Sequence, residues 1–357
     1  VTDNAANVKL AIEILETVNI PCFAHLLNLF VQNSIKKYSR NIEKVKTIVQ
    51  HFKKSSAASQ KLEDRQKTLG FPIQKLMQDV ETRWNSTFEM LRRILETKEP
   101  LLSCIGMLQF ESKLSDRDWK IIEQAVELLD YFNSATNNVS AEKSVTLSKT
   151  VVLSKILIRH VEKIKEKTGI LTEIQDLARH LKTNIIEKLQ PILKIDLAAK
   201  AVLLDPRYKE QGFMNDTKLY SETYKKVVLD VLSLQENNAE IDIENVETIE
   251  DESEERLWED YEQETRKRQT NTTPRNLAVR EIDSYLKEPY IERRRDPIMW
   301  WKEHKLHFPN LFKIMETVLN VPASSVPCER IFSKTGEICT EKRNRLLPKK
   351  IEELIFV

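Results

Sequence analysis

Glycine is nearly absent from this chain. It has 5 glycines in 357 residues, against about 7% in average proteins, and they stand apart at Gly70, Gly106, Gly169, Gly212 and Gly336. Two-residue hairpins draw on glycine for positive φ, and phosphate-cradling loops need several glycines within a few residues of each other. A Gly-rich nucleotide cradle is therefore excluded, and helices suit the chain better than sheets with tight turns. With 31% charged residues, the chain is expected to be mostly helical. It has no GxSxG elbow, no HExxH zinc helix and no apolar run near the roughly 20 residues that a membrane helix needs. Neither a membrane nor a small-molecule substrate is expected as a partner.

Cys22, Cys104, Cys328 and Cys339 show no CxxC pairing, which fits a reducing compartment better than a disulfide framework. The chain opens without Met on VTDNAAN, a stretch that resembles the end of one element and the start of the next. A fragment of a longer coding sequence is expected.

Charge is unevenly spread. The formal total is +1, yet Glu236 to Glu264 holds fourteen acids against Arg256 alone, so the remainder is strongly basic. An acidic tract with few apolar anchors is expected to be a solvated, disordered loop. A basic body is compatible with a nucleic-acid partner, although an acidic loop can also be plain solvated chain.

Along the sequence, a strand end is followed by a helix (Val8 to Glu16), an extended step (Val18 to Cys22) and a second helix from Phe23. Gly70, Phe71 and Pro72 break the pattern before Trp84 opens a helix to Leu95. From about 100 to 235, apolar stripes recur at helical spacing: Trp119, Ile122, Val126 and Leu129; Leu153, Leu157, His160 and Ile164; Ile174, Leu177, Leu181 and Ile185. His160 and His180 on these stripes are expected to pack. Order resumes at Ile282, and the connector Pro289 to Asp296, with Arg293, Arg294 and Arg295, leads into the aromatic run from Trp300 to Leu319.

Few residues suggest chemistry on their own. Asp3, between a strand end and a helix, can cap that helix or project into a crevice. Cys22 and His25 form a CxxH, half of a tetrahedral zinc site with no second pair at finger spacing. HKLH (His304, His307) also lacks partners, and no zinc is predicted within the chain.

Taken together, TDNAAN (2–7), CFAHLLNL (22–29), ETRWNST (81–87), LLDPRYK (203–209), DPIMWW (296–301) and PASSVPCERIFSKTGEI (322–338) resemble the hAT (hobo, Activator) superfamily of DNA transposases. LLDPRYK and the C-terminal block lean toward its BED-zinc-finger-containing members, which include domesticated host proteins. The segments span the chain in family order.

The resemblance implies an α-rich α/β fold, a partial RNase H-like core interrupted by a large all-helical insertion domain. Residues 1–98 would hold the core, without its N-terminal strands, running into helices. Residues 99–235 would be the helical insertion domain, 236–280 the acidic disordered loop, and 281–357 the C-terminal dimerisation region that completes the core. Asp3 would be the second catalytic acid and Glu329 the third, both metal ligands, with the first acid upstream of Val1 and a BED finger also upstream. Such a site uses three carboxylates to hold two divalent ions about 3.5–4 Å apart, and hard oxygen ligands select Mg²⁺ or Mn²⁺ in the intact enzyme. The chain as given would be inactive alone.

The same resemblance gives Trp84 the role of stacking on a flipped base, or of a core tryptophan. Cys22 and His25 would touch the DNA backbone or pack, and Arg83, Arg330, Arg343 and Arg345 would contact phosphate. Trp300, Trp301, Leu311, Phe312, Met315, Leu354 and Phe356 offer surface for a homodimer or higher oligomer, or for the chain's own core. DNA as partner implies the nucleus, and KRNRLLPKK (342–350) is an import signal or a charged turn. A DNA transposase and a domesticated, non-catalytic DNA-binding regulator both remain open.

Overall fold

The computed structural model describes residues 1–3, 6–36, 39–107, 114–141, 144–193, 195–239, 273–338 and 347–356. Sixteen α-helices are assigned there: α1 (Ala6–Ile14), α2 (Phe23–Lys36), α3 (Ser39–Lys54), α4 (Ser56–Thr68), α5 (Trp84–Glu96), α6 (Lys98–Met107), α7 (Asp116–Val139), α8 (Leu147–Glu166), α9 (Thr172–Leu193), α10 (Asp196–Leu204), α11 (Thr217–Ala239), α12 (Pro274–Lys287), α13 (Pro297–Glu303), α14 (Pro309–Val318), α15 (Val326–Ile338) and α16 (Pro348–Phe356), with a 3₁₀ turn at Lys209–Phe213.

No strand occurs among the described residues. Pairing there is limited to two isolated bridges, Thr2 with Pro21 (parallel) and Val80 with Arg83 (antiparallel). The described residues are thus helix-rich, and no strand among them confirms the expected α/β sheet. The extended step before α2 is too short for a ladder, and Pro21 has no N–H with which to extend one.

The chain forms two compact units. Unit 1 is Val1–Glu142, Leu153–Ile192 and Ala323–Val357; unit 2 is Lys143–Val152 and Leu193–Pro322. This division cuts the chain at other places than the expected breaks at 98/99, 235/236 and 280/281. The acidic loop of 236–280 is shortened at both ends: Glu236 to Ala239 finish α11, and α12 begins at Pro274, where Thr273 caps it by accepting Asn276 N at 3.3 Å. Proline at the first helical position loses no hydrogen bond. Residues 240–272 of that loop lie outside the described residues.

Unit 1 is built by the apolar faces read from the sequence. Ile174, Leu177, Leu181 and Ile185 are all buried, as are Trp119, Ile122 and Leu129. On α8 the face buried within unit 1 is Leu157, Val161 and Ile164. His160 packs as expected, stacked on Tyr131 at 3.7 Å with Nε2 3.2 Å from Leu128 O, and burial lowers its pKa. Ser115 and Asp118 cap α7 reciprocally, and the Asp118 carboxylate also accepts from Lys44 Nζ at 2.6 Å and Asn41 Nδ2 at 2.7 Å, tying α3 to the start of α7.

Unit 2 is organised by the LLDPRYK and DPIMWW segments. The last carbonyls of α10 have no intrahelical donors, and two aromatic side chains supply them. Tyr285 OH donates to Leu203 O at 3.1 Å, and Trp301 Nε1 donates to Leu204 O at 2.8 Å. Asp205 is fully buried and accepts Arg207 Nε at 2.8 Å, Arg207 Nη2 at 2.6 Å and Ser148 Oγ at 2.6 Å. The Lys209 ammonium, also buried, donates to Tyr285 O and Glu288 O, both at 2.7 Å, and lies 4.6 Å from the Tyr285 ring centroid. Gly212 permits the 3₁₀ turn to approach α10: a Cβ there would lie 2.4 Å from Val202 Cγ1. Glu281 caps α14, accepting Asn310 N and Leu311 N at 2.9 Å each.

Five residues expected at a partner surface are therefore inside unit 2. Trp300, Trp301, Leu311, Phe312 and Met315 are all buried, with Trp300, Trp301, Tyr285 and Phe308 in mutual ring contact. Their aromatic area is spent on the chain's own core. Leu354 on α16 is exposed, and the side chain of Phe356 lies outside the described set.

Candidate functional site

Three distant segments of unit 1 meet at Cys22. Cys22 N donates to Thr2 O at 2.6 Å and Thr2 N donates to Ile20 O at 3.1 Å, which forms the parallel bridge and places Asp3 at its end. The Cys22 sulfur, 1% exposed, accepts His25 N at 3.4 Å and Ser325 N at 3.3 Å. The first bond is the geometry of a helix N-cap, in which a side chain satisfies a free amide of the first turn. The second draws in the PASSVP segment, as does Phe23 N donating to Ala323 O at 2.9 Å.

Ser325 precedes α15 and fixes the other acid. Its Oγ donates to Glu329 Oε1 at 2.6 Å, while Glu329 N donates to Ser325 O at 3.0 Å. Glu329 lies in the first turn of α15, where the helix dipole favours a carboxylate. Asp3 and Glu329 are both exposed. The two acids thus stand on segments joined through Cys22 and Ser325. Among the described residues no group of three or more His, Cys, Asp or Glu side chains is placed to hold a metal ion.

The CxxH spacing has a structural cause here: Cys22 caps α2 and His25 supplies the amide that it caps, with the His25 ring half-buried. The Cys22 sulfur is too buried to touch a DNA backbone, which corrects that expectation.

Trp84 begins α5 beneath a second junction. Asn28 Oδ1 accepts Trp84 N at 3.1 Å, Asn28 Nδ2 donates to Thr82 O at 3.2 Å, and Gln32 Nε2 donates to Glu81 O, so one face of α2 holds the ETRW loop. The indole is 1% exposed and leans on Phe88 at 6.1 Å. A ring so covered offers no face to a flipped base, and of its two expected roles Trp84 takes that of a core residue. Its Nε1 is buried without a hydrogen-bond partner among the described residues. Trp84 also borders a cavity of about 320 Å³ lined by Lys46, Asp79 and Glu81. Burial works against the Lys46 charge, but bonds to Asp79 at 3.1 Å and Glu43 at 3.2 Å outweigh it and raise its pKa.

Arg83 and Arg330 are exposed, and Arg343 and Arg345 lie outside the described residues. Asn28, Gln32 and Ser325 were not singled out by sequence reasoning. The signal was present: all three fall in or beside the CFAHLLNL and PASSVP segments, and Asn28 and Gln32 are spaced for one helix face.

Residues 281–357 match the hAT family C-terminal dimerisation region, and residues 20–128 match the ZBED1 RNase-like helical domain. Zinc finger BED domain-containing protein 4 of Homo sapiens is 29% identical over 368 residues, covering 100% of this chain and 30% of that protein. The putative AC transposase of Zea mays is 25% identical over 377 residues, covering 94% of this chain and 43% of that protein. The putative transcriptional regulator tpeD of Talaromyces stipitatus is 25% identical over 407 residues, covering 99% of this chain and 45% of that protein. The chain spans less than half the length of each of these relatives. Among the described residues no helix is long and apolar enough to cross a membrane.

Proposed function

We propose that the chain, whose residues 281–357 match the hAT family C-terminal dimerisation region and 20–128 the ZBED1 RNase-like helical domain, is part of a nuclear, hAT-type DNA transposase in which Asp3 and Glu329 serve metal-dependent strand cleavage and transfer. The observation that carries this reading is the junction at Cys22, which links the segments bearing the two acids across most of the sequence. The parallel Thr2–Pro21 bridge would belong to the RNase H-like sheet of the whole protein.

Two exposed carboxylates are hard oxygen donors of the kind Mg²⁺ or Mn²⁺ takes, and Mg²⁺ is commonly held by one or two carboxylates together with substrate phosphates. Asp3 and Glu329 fit such an ion in kind and would hold it. When bound, the metal would activate a water or a 3′-hydroxyl and stabilise the leaving oxygen. Ser325 orients the Glu329 carboxylate through its 2.6 Å bond, and Arg83 and Arg330 are placed in solvent where they can meet phosphate.

Self-association is part of the proposal. The match to a dimerisation region covers 281–357, and the self-contact is assigned to α15 and α16, where Phe332 is 74% and Leu354 50% exposed. Sedimentation at micromolar concentration should give a dimer or larger; a monomer overturns this assignment.

The second reading is a non-catalytic regulator that keeps the fold, favoured by the burial of Trp84 away from any base and by the relative named as a putative transcriptional regulator. Incubating the full-length protein with its native flanking DNA and Mg²⁺ or Mn²⁺ separates the two. Strand cleavage is the expected result; DNA binding and dimerisation without cleavage would establish the regulator.

A further inference from the structure

A second cavity of unit 1, about 410 Å³, is bounded by the end of α3, one face of α4 and the extended segment 73–76. Its volume falls in the range of about 300–1,000 Å³ usual for ligand sites. Side chains fix the extended wall in place. Gln66, buried on α4, stands in for a neighbouring strand: its Nε2 donates to Gln74 O at 3.0 Å and its Oε1 accepts Gln74 N at 3.1 Å. Arg93 Nη1 donates to Lys75 O at 3.0 Å. The backbone that carries Lys75 is thereby held at the same cavity as the end of α3, which carries Lys53.

Charge in this cavity is one-sided. Lys53 and Lys75 line it from different elements, both are exposed, and no hydrogen bond or ion pair holds either side chain among the described residues. Glu63 is the only carboxylate among the residues that line it, and its Oε1 already accepts Lys67 Nζ at 2.7 Å. Gln60 Nε2 donates to Asp64 Oδ1 at 3.1 Å and Ser59 Oγ to Phe52 O at 2.6 Å, so both are committed within the fold. The donors left over are two ammonium groups and the Ser56 hydroxyl. Donors that arrive from separate walls suit an anion with several acceptor oxygens, and charge-assisted bonds to phosphate are among the strong ones.

We propose that this cavity of unit 1 is a phosphate site, with Lys53, Lys75 and Ser56 as its donors and the backbone of duplex DNA as the source of the phosphate. The source rests on the DNA-binding reading above, whereas the site rests on the cavity and its uncommitted donors.

Binding of a fluorescently labelled duplex to the chain, followed across a range of NaCl concentrations, tests the site. Each neutralised phosphate contributes about 0.9 to the slope of log affinity against log salt. The two lysines share one cavity and are assigned one phosphate, so Lys53→Gln with Lys75→Gln is expected to flatten the slope by about 0.9. Lys54→Gln with Lys61→Gln removes the same charge from exposed positions of α3 and α4 outside the cavity and should leave the slope unchanged. Wild-type binding with an unaltered slope in the cavity variant, or with equal flattening in both variants, overturns the site and leaves the DNA reading intact. If the wild type does not bind duplex but is stabilised thermally by inorganic phosphate, loss of that gain in the cavity variant means that the site stands with free phosphate as its ligand and the DNA reading fails for this chain; a gain that the variant keeps overturns the site as well. Response to neither probe overturns both.

Discussion

Replacing Asp205 with alanine is expected to destabilise unit 2 by about 3–5 kcal/mol, the range for removing one partner of a buried ion pair. The Arg207 side chain is buried beside it, and Asp205 supplies the acceptors for both of its bidentate bonds at 2.6–2.8 Å. Without the carboxylate, a guanidinium remains in the interior with only a 3.4 Å bond to Val145 O, and Ser148 Oγ loses its acceptor. Burial disfavours the Arg207 charge, and the bonds and charge of Asp205 more than restore it, raising the pKa. Denaturant unfolding followed by tryptophan fluorescence reports the loss. Asp205→Leu combined with Arg207→Met should recover much of it, because an apolar pair leaves no charge uncompensated. A loss below about 1 kcal/mol in Asp205→Ala would mean that the pair acts as an exposed one.

Lys209→Met should cost nearly as much. The ammonium serves Tyr285 O and Glu288 O at the end of α12, and each carbonyl left without a donor costs about 1–3 kcal/mol. Burial pulls the Lys209 pKa from 10.5 down to about 8, with Glu288 opposing. Between those values the unfolded chain holds a proton that the folded chain has released, so the stability contributed by this group rises with pH through that window and is flat below it. The gap between wild type and Lys209→Met is therefore expected to widen as pH is raised from 8 toward 10. A gap that narrows over that range would contradict the assignment.

Much of the helical architecture was legible because it depends on local signals. Trp84 does open a helix, Phe23 begins α2, and the Ile174 to Ile185 stripe faces the core. What periodicity cannot tell is which surface covers an apolar face. The aromatic run from Trp300 has the composition of an interface, yet Trp301 finds its acceptor at Leu204, 97 positions upstream, and the ring becomes core. Trp84 posed the same problem: its neighbours in sequence are polar, while Asn28, which accepts its backbone amide, is 56 positions away.

The candidate site divides along the same line. No spacing rule relates Asp3 to Glu329, so their pairing came from the resemblance of TDNAAN and the CER block to one family. The part that spacing does reveal, CxxH, suggests half a metal site, whereas Cys22 caps a helix and gathers the Ser325 segment. A buried thiol acting as acceptor for two backbone amides leaves the same sequence pattern as a zinc ligand.

In the proposed reaction centre Asp3 and Glu329 act together through the junction at Cys22. Strand transfer by the full-length protein with Mg²⁺ or Mn²⁺ on its native flanking DNA, comparing wild type with Asp3→Ala and Glu329→Ala, tests it most directly. The account predicts that each variant abolishes strand transfer while dimerisation and DNA binding persist. Transfer at the wild-type rate in either variant would contradict it.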